Sequence, residues 1–303
     1  MEALLLPGLA PSDYSEVEAF IHQSPHARRR FSEASSTIGY SLMDAFREAD
    51  EREYEVKECA FLANSVALMD HYADLYGSRP EYTIGPSFGV MGAAVATETL
   101  TYEEAVWLTH ESAKVSGRFY HHLEGDYQTH FIYNLSLEDA REIVEEFHAH
   151  NKPLELVGYL EKVVCLCGPA GVIKELKEYL NNKPKCFSLH TMKQPIHSST
   201  LAPLHLELKN GIFKEFNFKP LKGMFISDVS GELIKDPEKF KQSLLDGYDN
   251  PVRWDLVKQQ IVRLGLKDIY VVGPKNLFNQ LLKKDVQTIE VSPEKMVDML
   301  VER

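Results

Sequence analysis

The 303-residue chain is poor in cysteine, and its four thiols, Cys59, Cys165, Cys167 and Cys186, have no zinc-ligand spacing. A stapling disulfide framework and a resident metal are therefore not expected. Cys165 and Cys167 fall in the apolar run Val163-Val164-Cys165-Leu166-Cys167, where alternate strand residues share a face and small thiols are ordinary core residues. Positive charge is also scarce: 33 Lys and Arg face 45 Asp and Glu, a net charge of −12. That balance excludes the broad basic surface that nucleic acid or an anionic membrane would need. The one dense basic run, Arg28-Arg29-Arg30, is short and reads as a solvated face. Apolar runs stop short of a bilayer span, and the N-terminus has no signal-peptide pattern. Repeats and low-complexity tracts are absent too. A cytoplasmic, monomeric protein is expected, with one large or two modest cores drawn from its 44% hydrophobic residues.

Alternating apolar and turn segments organise what is present. Glu2-Ala3-Leu4-Leu5-Leu6 reads as a buried parallel strand stopped by Pro7-Gly8, with a helix from about Ser12. Residues 56–76 carry Phe61, Val66, Leu68, Met69, Tyr72 and Leu75 at helical intervals, a core-facing helix. Thr101 reads as the cap of a further helix, with Glu103 and Glu104 where the helix dipole favours acids. From about Tyr127 the order becomes β-α-β-β-α-β, the ferredoxin-like pattern. The strand and helix alternation then resumes through Met224–Ser227 and Ile269–Val272.

Between the strand Glu81-Tyr82-Thr83-Ile84 and a helix from Val90 lies Gly85-Pro86-Ser87-Phe88-Gly89. A G-x-S-x-G turn needs small flanking residues because its backbone is strained and a larger side chain would strike strand or helix. Ser87 would project from the tip of the sheet beside helix N-terminal amides able to stabilise an oxyanion. The fold class that follows is α/β: an α/β-hydrolase-like domain with a parallel sheet over 1–124 and 190–303, and an inserted ferredoxin-like subdomain over 125–189.

A serine hydroxyl is a poor nucleophile until a base takes its proton. Of twelve histidines, His197 in Gln194-Pro195-Ile196-His197-Ser198 follows the inserted unit on a proline-stiffened loop; on local sequence His110, His130 and His190 remain alternatives.

These residues, in this order, resemble the malonyl-CoA:acyl carrier protein transacylases and the related discrete acyltransferases of polyketide and hybrid peptide biosynthesis, over almost the whole chain. Leu6-Pro7-Gly8 resembles the family's P-G-Q-G-S-Q loop, Gly85 to Gly89 its G-H-S-L-G, and Leu100 to Leu108 the helix start that follows. His197-Ser198 resembles its H-S, and Phe225 to Gly231 its V-S-N-V-T-G. Asn250-Pro251-Val252-Arg253-Trp254 resembles S-P-V-R-W, and Val272-Gly273-Pro274 resembles V-G-P-G. The resemblance implies ping-pong transfer of an acyl group from a CoA or carrier-protein thioester to an acyl carrier protein. Ser87 would be the nucleophile, His197 the base, and the amides of Phe88 and Leu9 the oxyanion donors. It also implies that Asp228 orients the imidazole, through its main-chain carbonyl or its carboxylate. No bound cofactor is implied, since the phosphopantetheine arm belongs to the substrates.

The departures concern the substrate. Malonyl transferases hold the substrate carboxylate with an arginine after the elbow, and ungapped counting places Ser112 there. The motif histidine is Pro86 and the following glutamate is Val90, so the pocket, to which Ile196 also contributes, has lost polar groups. Lys114 and Arg118 lie on the same helix but on other faces or turns. Loss of one charged contact weakens binding of a carboxylated acyl group by about 1.5–3 kcal/mol, so an acyl group other than malonyl is expected. A hydrolase that clears carrier proteins and a non-catalytic carrier-binding protein are the alternatives. Lys174, Lys177, Lys183, Lys185 and Lys193 are the candidate surface for an acidic carrier.

Overall fold

A computed structural model describes residues 1–9, 13–50, 53–77, 79–183, 185–275 and 277–301. Its strands in chain order are β1 (Glu2–Leu5), β2 (Tyr82–Ile84), β3 (Tyr127–Tyr133), β4 (Glu155–Leu160), β5 (Val163–Pro169), β6 (Phe187–Met192), β7 (Met224–Ile226), β8 (Leu233–Ile234), β9 (Val252–Arg253), β10 (Asp268–Val272) and β11 (Gln287–Val291).

The larger sheet runs β11-β10-β1-β2-β7-β8, parallel except for β8. Leu4 and Leu5 of β1 pair with Thr83 and Ile84 of β2 and with Tyr270 and Val271 of β10, so β1 is buried on both sides. Such a strand must be apolar throughout, which is why Ala3-Leu4-Leu5-Leu6 carries no alternation. Helices cover the sheet; Tyr54–Tyr76 is the longest and, together with Pro25–Ile38 and Tyr102–His122, packs on one face. Thr101 caps Tyr102–His122 with a complete capping box, its side chain accepting from the Glu104 N–H while the Glu104 carboxylate accepts from the Thr101 N–H.

The smaller sheet runs β6-β3-β5-β4, the antiparallel ferredoxin order, with helices Leu137–Ala149 and Ala170–Leu180 over one face. Its last strand ends at Met192, beyond the boundary at 189 read from the sequence. β9, from the larger domain, extends it by pairing in parallel with β4. The segment 125–192 is thus tied to the later chain by main-chain hydrogen bonds of the smaller sheet.

Two further readings change. The first helix spans Tyr14–Gln23 with Asp13 as its cap, and Ser12 lies outside the described residues. The basic run is only partly a solvated face: Arg28 and Arg29 are exposed, yet Arg29 and Arg30 both donate to Asp70 at 2.9 and 2.7 Å, and the Arg30 guanidinium lies over the Tyr102 ring. Asp70 comes from Tyr54–Tyr76, so these arginines fasten two helices together.

Candidate active site

Three loops leave the same edge of the larger sheet, because β1, β2 and β7 are adjacent and parallel. Pro7-Gly8-Leu9 follows β1, the Gly85–Gly89 turn follows β2, and Ser227-Asp228 follows β7. The crevice at the carboxyl ends of such strands is where open α/β sheets present their ligands.

The turn after β2 has the strain of a nucleophile elbow. Ser87 holds φ at +53°, a left-handed conformation that few residues other than glycine adopt. Its neighbours are small because the space is full. A Cβ on Gly89 would stand 2.0 Å from the Leu6 carbonyl oxygen, and one on Gly85 would stand 2.6 Å from that of Gly89. The Pro7-Gly8-Leu9 loop is equally close, since a Cβ on Gly8 would lie 3.2 Å from that of Ser87.

His197 reaches this turn from the loop that returns from β6, and its Nε2 lies 2.8 Å from the Ser87 Oγ. Its Nδ1 lies 2.5 Å from the Gly247 carbonyl oxygen. A carbonyl only accepts, so Nδ1 carries the hydrogen and Nε2 presents its lone pair to the serine hydroxyl. Burial holds the imidazole pKa below its ordinary value, partly offset by the Gly247 bond. Gly247 sits in the last turn of helix Pro237–Asp249, where carbonyls lack intrahelical donors. The residue four positions on is Pro251, which has no N–H to give.

Asp228 therefore does not have the place expected of it. Its carboxylate accepts the main-chain N–H of Ser87 at 2.7 Å, and its carbonyl accepts from the Arg253 N–H at 2.7 Å. Neither oxygen orients His197; the Gly247 carbonyl does. Desolvation pushes the Asp228 carboxyl up to about 6, against the Ser87 bond that favours its ionised form. Gly247 was missed because a glycine carbonyl leaves no side-chain signal; the proline four residues downstream was the one available clue.

The loop that carries His197 is fastened to the small sheet. Glu155 of β4 accepts from the Ser198 hydroxyl and the Ser199 N–H, both at 2.9 Å. Thr129 of β3 donates to the Gln194 carbonyl at 3.0 Å and accepts from the Ile196 N–H at 3.2 Å. Of the other histidines weighed, His130 is buried in a hydroxyl network with Thr191 and Ser188, and His110 pairs with Glu111 at 2.9 Å. His190 faces solvent beside Phe131.

A cavity of about 290 Å3 opens beside Ser87 and His197 and runs between the two sheets. Pro86, Phe88, Leu9, Ile196 and Ser112 all line it, as does Asp228. Lys114 and Arg118 do not: both are exposed, and Lys114 pairs with Glu111 at 3.0 Å. Glu58 does, on a helix read from the sequence only as core-facing. Among the described residues no group of three His, Cys, Asp or Glu side chains could hold a metal ion, and no helix is long and apolar enough to cross a membrane.

An elbow serine beside an oriented imidazole, at the carboxyl edge of a parallel sheet, has the geometry that Ser-His nucleophilic chemistry requires, on an α/β-hydrolase-like fold. No family model matches the sequence. In sequence and length the chain is similar to the malonyl CoA-acyl carrier protein transacylases. It is 22% identical to that of Bacillus subtilis (strain 168), over 99% of this chain and 96% of the relative. It is 20% identical to that of Staphylococcus aureus (strain COL), over 95% and 96%. The fold is shared with the crystal structure of FabD from Acinetobacter baumannii, with a TM-score of 0.85 at 19% identity over 99% and 98% of the chains. It is shared equally with PlMCAT in complex with the type II polyketide acyl-carrier protein AntF, with a TM-score of 0.87 at 20% identity and 99% coverage of both.

Proposed function

We propose that this protein is an acyltransferase that moves an acyl group from a CoA or carrier-protein thioester to an acyl carrier protein through an ester on Ser87. The observation that carries the reading is the 2.8 Å approach of His197 Nε2 to Ser87 Oγ on a strained elbow. As Ser87 Oγ attacks the thioester carbon, its proton passes to Nε2 and a C–O bond forms. The oxyanion lies against the N–H groups of Phe88 and Leu9, which border the same cavity. Collapse breaks the C–S bond, and the departing thiolate takes the proton from His197. The second half-reaction runs the same steps in reverse with the thiol of a carrier's phosphopantetheine arm.

His197 suits both roles because desolvation keeps it neutral before attack, while the Gly247 carbonyl and the helix C-terminus favour the imidazolium afterwards. The acyl group of this reading is not malonyl. Ser112 stands on the cavity wall without charge, and the nearby cations of its helix face solvent. The relatives named above are malonyl transferases, so the substrate is where this chain departs from them, within polyketide or related assembly.

The carrier docks on the small subdomain, which exposes Lys174, Lys185 and Lys193 together with the apolar Phe187 and Leu189 of edge strand β6. Lys183 contributes less, being paired with Asp139 at 3.1 Å. Loading the enzyme with a labelled acyl thioester and then adding unloaded holo carrier protein tests the assignment. Label that moves to the carrier supports transfer; label released as free acid assigns hydrolysis instead.

A further inference from the structure

The end of the cavity lined by Glu58 is built unlike a site for a carboxylate. Glu58 lies one turn before Phe61, whose ring packs edge-on against Phe88, the residue after the nucleophile. Its carboxyl faces the cavity together with Tyr54, Tyr120 and Tyr248, and the Tyr54 and Tyr120 rings meet at 5.8 Å. The hydroxyls of Thr109 and Ser112 line the same space and are fully buried; that of Thr109 has no hydrogen-bond partner, and that of Ser112 meets the Tyr248 hydroxyl. Among the described residues, the one lysine on the cavity wall, Lys275, is held by Glu16 at 2.7 Å.

Resting on the acyl-transfer reading, the geometry points to an acyl group bearing an amine as the substrate class, its ammonium bound by the Glu58 carboxylate within the ring of tyrosines. Carboxylate, aromatic faces and buried hydroxyls are together the groups that hold an ammonium, which has three N–H donors and is drawn to ring faces. A malonyl carboxylate would instead meet the Glu58 carboxyl, with uncharged Ser112 where the family has its arginine. Burial and the neighbouring Glu55 push the Glu58 carboxyl up to about 8, and among the described residues no cation is paired with it. The ammonium supplies that charge. The thioester chemistry at Ser87 is unchanged, and the amine takes no part in bond making.

The test is Ser87 acylation followed by intact mass, with amine-bearing thioesters against alkyl isosteres of equal length. β-Alanyl-CoA is matched with butyryl-CoA, 6-aminohexanoyl-CoA with heptanoyl-CoA, and malonyl-CoA is included. At one length or the other the amino thioester is expected to react tenfold or more faster than its isostere, and malonyl-CoA more slowly than both. In Glu58→Gln the ratio of amino to alkyl rate should fall toward one. Isosteres that outpace the amino thioesters at both lengths in the unmodified protein, or a ratio unmoved in Glu58→Gln, overturn the inference while acylation of Ser87 still stands. If no thioester acylates Ser87, the acyl-transfer reading has failed and this inference with it.

Discussion

The Asp228 carboxylate holds Ser87 by the main chain, accepting its N–H at 2.7 Å across 141 residues of sequence. A serine at φ +53° is strained, and the bond fixes the turn in that conformation from the neighbouring strand. The positioning is separate from that of the base, which the Gly247 carbonyl orients. Replacing Asp228 with Ala leaves a buried N–H unsatisfied, at a cost of about 1–3 kcal/mol. Asp228→Ala should therefore lower the unfolding midpoint and slow Ser87 acylation at least tenfold. Asp228→Asn, which keeps an acceptor oxygen, should lose less of both. The two variants are compared by thermal unfolding and by acylation rate.

The pH dependence of acylation follows from the base. His197 must be neutral to take the Ser87 proton, and burial lowers its pKa, so the neutral form persists into more acid solution than for an ordinary histidine near 6.5. Asp228, pushed up to about 6, protonates in the same range and weakens its hold on the elbow. The acid limb of kcat/KM should therefore fall below pH 6.5, with more than half of the plateau rate retained at that pH. A limb centred above 6.5 would mean that the imidazole is not desolvated as described.

Glu58 makes a prediction for stability. Its carboxyl is raised from 4.5 to about 8, so between those values the folded protein holds a proton that the unfolded chain releases. The stabilisation is present in full below pH 4.5 and is lost as pH rises through 8. Glu58 is only partly buried, so solvent screening reduces the effect to on the order of 1–3 kcal/mol. Glu58→Gln, which cannot ionise, should gain several degrees in unfolding midpoint relative to the unmodified protein between pH 5 and pH 8.5. A difference constant across that range would show that Glu58 is ionised throughout.

Carrier recognition is read from the exposed lysines around β6. Charge reversal at Lys185 and Lys193 together should raise the KM for an acidic carrier about tenfold while leaving self-acylation from a CoA thioester unchanged. An unchanged KM would place the carrier elsewhere.

The site was legible where chemistry lives in side chains and fixed spacings. Gly85-Pro86-Ser87-Phe88-Gly89 between a strand and a helix announces an elbow, because only glycine fits against Leu6 and within the turn. The ferredoxin order was legible too, since its strands and helices follow one another in the chain. Contacts made by main-chain atoms or across long separations were not. The Gly247 carbonyl has no residue signature, and β9, two residues long, joins a sheet whose other strands precede it by some sixty residues or more. Arg29 and Arg30 looked solvated because Asp70 lies about forty residues away. Glu58 escaped notice because residues 56–76 were read for their apolar face, and an acid at the start of such a helix usually faces water.

An acyl ester on Ser87, formed with His197 as base, is read out by intact mass after exposure to acyl thioesters. One acyl adduct per chain is expected, absent in Ser87→Ala and formed about 10²- to 10⁴-fold more slowly in His197→Ala. No adduct with any thioester, or one that survives Ser87→Ala, would contradict it.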